Sequence, residues 1–102
     1  MTQYIEQKAG NLDGIIIDRG NSWKSDVTFD FSISGYTIEA FIKMGSSRID
    51  LTVTPISSYA VTIALSNTQS TTITNEDNTL YVRLTYNTET RDYIKALFKV
   101  IQ

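Results

Sequence analysis

Hydrophobic and polar residues alternate with a period of two through most of the chain. Across residues 23–31, Trp23, Ser25, Val27, Phe29 and Phe31 share one face, and Lys24, Asp26, Thr28 and Asp30 share the other. Across residues 36–44, Tyr36, Ile38, Ala40, Ile42 and Met44 oppose Thr37, Glu39, Phe41 and Lys43. Alternation with one wet face is the pattern of antiparallel strands. Phe41 is the exception on its polar side, either an ordinary exposed aromatic or a partner contact. The pattern recurs over 48–54, with Ile49, Leu51 and Val53 inward, and is predicted to end at Pro55, which cannot donate to a ladder. It returns over 59–65 (Val61, Ile63, Leu65 inward) and over 80–86 (Leu80, Val82, Leu84 and Tyr86 against Tyr81, Arg83 and Thr85). The last run, 92–101, sets Ile94, Ala96, Phe98 and Val100 against Tyr93, Lys95, Leu97, Lys99 and Ile101. That second face is half apolar. It is either covered by a partner or the inner face of a bent strand. Ile15, Ile16 and Ile17 form a short β-branched run suited to an edge or strand-switching strand.

Turn formers punctuate these runs. Asp13-Gly14, the cluster Asp18-Arg19-Gly20-Asn21-Ser22, Ile33-Ser34-Gly35, Gly45-Ser46-Ser47 and Ser57-Ser58 each read as turns, because Gly and Asn tolerate positive φ and Asp, Asn and Ser bond nearby backbone. Residues 87–91 read as a hairpin loop. The stretch SNTQSTTIT over 66–74 breaks the alternation; Ser66 or Asn67 can cap one helical turn that folds Ile73 underneath, and the threonines argue against a longer helix. About seven short strands at roughly ten-residue spacing predict an all-β, immunoglobulin-like antiparallel β-sandwich or a small barrel, and the sandwich is the expectation carried forward. It is expected to occupy residues 14–102, with residues 1–13 as an N-terminal arm. Residues 1–11 are polar with two isolated apolar residues, Tyr4 and Ile5, and are either a frayed end or a segment that orders on a partner.

Composition narrows the chemistry. At 102 residues a single domain buries roughly 65% of its extended surface, enough for one core without staples. The chain has no cysteine and no histidine. Disulfides, Cys/His zinc sites and Ser-His-Asp or Cys-His catalysis are excluded. A net charge of −2 and a pI near 4.9 argue against nucleic acid as a partner. The N-terminal residues lack the layout of a signal peptide, and no apolar run approaches the ~18 residues of a membrane helix, so synthesis in a cytoplasm and no membrane partner are expected.

The candidate sites each have a plainer explanation. Asp18, Asp26 and Asp30 lie close in sequence, but acid–base work needs a cleft, and Asp26 and Asp30 read more simply as edge-protecting charges. Asn75, Glu76, Asp77 and Asn78 are rich in oxygen yet lack the spacing of a calcium loop, and read as a polar turn. Gly14 and Gly20 are isolated and make no phosphate loop. Six tyrosines and one tryptophan admit an aromatic carbohydrate platform; the alternative is that Trp23 fills the core and Tyr36, Tyr59 and Tyr86 sit at sandwich edges. No enzyme activity, cofactor or metal is expected.

The run from the isoleucines through Arg19-Gly20-Asn21-Ser22, a long strand closing at Asp30, and Ser34-Gly35-Tyr36 opening the next resembles a family of tailed-phage virion domains, immunoglobulin-like sandwiches similar to the N-terminal domain of phage baseplate upper proteins. Leu65-Ser66 with Thr68, Tyr81-Val82-Arg83-Leu84 and 96–100 (ALFKV) resemble the family's later elements, so the likeness spans about residues 15–101. Asn21 stands where an acid is more usual, and Asn78-Thr79 where a glycine is common. The resemblance implies a non-enzymatic virion structural protein: a tail, neck or baseplate adaptor, or a capsid cement subunit, rather than a receptor binder. Its partners are expected to be other virion proteins, met in a homo-oligomer or symmetric assembly. The expected contact residues are Tyr4, Ile5, Phe41, Leu97 and Ile101. A carbohydrate- or host-surface-binding module is the alternative.

Overall fold

The alternating runs become two facing sheets. The computed structural model describes residues 14–102. The elements are β1 (Ile15–Asp18), β2 (Trp23–Thr28), β3 (Thr37–Met44), β4 (Ser47–Asp50), β5 (Thr52–Ser57), β6 (Ala60–Leu65), the short helix α1 (Asn67–Thr71), β7 (Asp77–Tyr86) and β8 (Glu89–Ile101). One sheet has the order β1-β8-β7-β3-β4 and the other β2-β6-β5. With β2, β6 and β5 standing as strands B, E and D, and β3, β7 and β8 as C, F and G, this is the immunoglobulin arrangement. The expected all-β sandwich is therefore the fold. Its inner faces are the apolar halves of the alternation: Val27, Ile42, Ile63, Leu65, Val82, Ile94, Phe98 and Val100 are all buried. Facing apolar sheets of this kind supply most of the stabilisation.

Several details differ from the expectation. The run over 48–54 is two strands. β4 pairs with β3, the Leu51 amide still donates to Ala40 O at 2.8 Å, and Thr52 then pairs with Ala64 in the other sheet. The chain changes sheets at Leu51 without changing its alternation, so one run of sequence makes two strands. Pro55 lies inside β5 rather than ending it, because β5 is an edge and its register shifts between Pro55 and Ser57. β1 pairs with β8 in parallel, an exception to the antiparallel expectation. The hairpin loop over 87–91 is tighter than expected: β8 begins at Glu89, and Asn87 takes φ 57° in the turn.

A bulge in β8 moves Tyr93. Val82 pairs with Ile94, but Arg83 pairs with Asp92, leaving Tyr93 as the extra residue. Tyr93, expected on the outer face, instead packs against Phe29 at 4.9 Å and Phe31 at 5.9 Å. The same bulge brings Asp92 opposite Arg83, where they form an ion pair at 2.7 Å.

The stretch 66–74 folds as its residue types imply. Ser66 caps α1 in a capping box: its Oγ accepts from the Gln69 amide at 3.1 Å, and Gln69 Oε1 accepts from the Ser66 amide at 3.0 Å. Ile73 is fully buried beneath.

Candidate contact surfaces

The Arg19–Gly20–Asn21–Ser22 turn is held by α1. Gly20, at φ 94°, donates its amide to the buried Ser70 Oγ at 2.9 Å, and its carbonyl accepts from Asn67 Nδ2 at 2.9 Å. Arg19 Nε donates to Thr71 O at 2.8 Å. A side chain at position 20 would be strained by that φ. The most distinctive turn in the sequence thus joins the first strands to the helix before β7, through Arg19 Nε and both backbone groups of Gly20.

At the opposite end, aromatic rings take the place of hydrogen bonds. Phe29, Phe31, Tyr36 and Tyr86 follow one another at centroid separations of 5.6, 5.7 and 4.9 Å. The planes are tilted by 59°, 53° and 35°, so the rings pack as a string from core to surface instead of laying out a coplanar platform. Trp23 is half-buried, edge-on to Phe98 at 5.2 Å. Tyr59 and Tyr86 are the tyrosines that remain mainly exposed among the described residues.

The expected contact residues fall into three groups. Tyr4 and Ile5 lie outside the described residues. Phe41 is not exposed: although it points away from the core, only 2% of its surface is accessible. Tyr81 stacks on it from β7 at 5.2 Å, and the guanidinium groups of Arg48 and Arg83 lie 3.9 and 5.0 Å from its ring centre. The hydrogen bonds that Arg48 donates to Asp50 and then to Glu39 raise its guanidinium above its ordinary value, and the bond that Arg83 donates to Asp92 does the same for Arg83. Acids fix the arginines, and the arginines roof the ring.

Leu97 and Ile101 are exposed on the outer face of β8 at 43% and 40%. Ile16, at 65% exposed, lies alongside them, since β1 pairs it with Lys99, between the two. Sequence reasoning did not single out Ile16, yet the signal was there: in a run of three isoleucines on a strand, the middle one must point away from the other two. The Gly14 backbone passes close to Leu97, and a Cβ there would lie 3.3 Å from Leu97 Cβ.

The polar candidates do not converge. Asp18, Asp26 and Asp30 are exposed, and Asp26 accepts from Thr62 Oγ1 at 2.8 Å. No group of three or more Asp or Glu side chains able to hold a metal ion comes together among the described residues. In the 75–78 segment, Asp77 already belongs to β7, and Asn78 is buried with its amide donating to Asn75 O at 3.0 Å and Phe98 O at 3.3 Å. Asn78 joins β7 to β8 and is not part of an exposed polar turn. An open depression of about 350 Å³ lies between β3 and β5 and is lined by Ile33, Tyr36, Ile38, Val53, Pro55 and Val61. No helix among the described residues is long and apolar enough to cross a membrane.

In comparisons with known proteins, no family model matches the chain, and no curated protein matches it.

Proposed function

We propose that the chain is a non-enzymatic structural subunit of a tailed-phage virion, an adaptor or cement protein that works through protein–protein contacts in a symmetric assembly. One observation carries the reading: an apolar corner of Ile16, Leu97 and Ile101 stands exposed on an otherwise charged and hydroxyl-rich sheet face. A monomer gains nothing from such a patch, whereas a subunit in an assembly covers it. The likeness of the Arg19–Ser22 and Ser34–Tyr36 stretches to phage virion domains supports the particle as the setting. The tilted aromatic string and the packing of Trp23 on Phe98 weigh against the carbohydrate-platform alternative.

The test is the protein content of purified tailed particles made by the genome that encodes the chain. Stoichiometric presence in the particle is the expected result. Confinement to the non-particulate fraction would overturn the proposal.

A further inference from the structure

We infer that two copies of this chain join along their β2 edges, antiparallel, about a twofold axis passing through Ser25. This deepens the symmetric-assembly part of the proposed function by naming a self-contact. The argument starts from the backbone. The Phe29 amide donates to Tyr59 O at 2.7 Å, in the same register that pairs Trp23 with Leu65. Reciprocally bonded pairs alternate along an antiparallel ladder. Trp23, Ser25 and Val27 therefore turn their main-chain groups toward β6, and Lys24, Asp26 and Thr28 turn theirs to the open side, where no described strand pairs.

Among the sheet edges, β2 is the one suited to accept a strand. β1 and β4 have four residues each, and β5 carries Pro55 and a register shift. β2 has six residues, with no bulge in its pairing and no proline. Its exposed charges then choose a register. With the twofold at Ser25, Lys24 faces Asp26 of the second copy, and Asp26 faces Lys24 of the second copy. Sliding the axis to Asp26 or to Lys24 sets like charges face to face. Charges that guard the edge against arbitrary strands thus admit a copy of their own. The Asp26 carboxylate is held in place by Thr62 and keeps lone pairs free for Lys24 of the second copy.

Sedimentation equilibrium of the full chain over a wide concentration range tests this on the isolated protein, so its failure would leave the particle reading standing. The expected result is a dimer that grows with concentration. By symmetry Lys24→Asp or Asp26→Lys each creates two like-charge pairs, so each should raise the dissociation constant about tenfold or more. The double variant K24D/D26K should restore wild-type association. Asp26→Asn, which can retain the Thr62 contact, should weaken association by a smaller factor. Amide exchange at Lys24, Asp26 and Thr28 should slow as concentration rises. A monomer at every concentration, a dimer indifferent to the single reversals, or a double variant that fails to regain association would overturn the inference. So would concentration-independent protection of those three amides, the signature of residues 1–13 pairing there within one chain.

Discussion

Phe41 and Leu97 occupy equivalent kinds of position and meet opposite fates. Both point outward from the five-stranded sheet, on the face away from the core. Phe41 is 2% exposed and Leu97 43%. The difference lies in the neighbours that strand register supplies. Phe41 sits beside Tyr81 on β7, with Arg48 reaching over from β4 and Arg83 from β7. Leu97 faces Thr79, and Ile101 faces Asp18 on the short edge strand β1. Side chains that short cannot cover an apolar neighbour. An outward apolar residue is covered where long side chains roof it, and stays exposed where they do not.

Removing the roofed ring should have the largest effect on stability. Phe41→Ala should cost about 3 kcal/mol in denaturant unfolding, close to a core truncation. Removing the roof alone should cost less: Arg48→Ala should lose about 1 kcal/mol by exposing Phe41 and ending the cation–π contact. If Phe41→Ala costs no more than a typical surface substitution, the contrast between the two sites collapses. Building a roof where none exists should change stability least. Thr79→Arg places a long side chain opposite Leu97 and should alter unfolding by no more than about 0.5 kcal/mol, while lowering incorporation into particles by covering the patch.

Much of the fold was legible because the alternation is strong. The inner faces of β2, β3, β6, β7 and β8 follow it, and the Ser66 cap and buried Ile73 follow from residue type alone. What escaped the alternation were events that leave it intact. The sheet change at Leu51 keeps every residue facing the expected way, so one run concealed two strands. The bulge at Tyr93 inserts a residue with no Gly or Pro to announce it. Parallel pairing of β1 with β8 depends on where the chain returns in space, which a local pattern does not encode. Of the expected contact residues, Leu97 and Ile101 were visible as apolar members of a half-polar face. Phe41 looked the same to a one-dimensional reading, because its cover comes from Arg48 and Tyr81 on neighbouring strands. The link between Gly20 and Ser70 spans 50 residues and likewise has no local trace.

The central claim is that the Ile16–Leu97–Ile101 corner serves contact rather than folding. The most direct measurement pairs thermal unfolding with particle content for the double variant Leu97→Asp and Ile101→Asp. The account predicts a stability loss of no more than about 1 kcal/mol, well below that of Phe41→Ala, because neither side chain belongs to the core, together with a severalfold loss of the chain from purified particles. Wild-type incorporation of a folded double variant would contradict it.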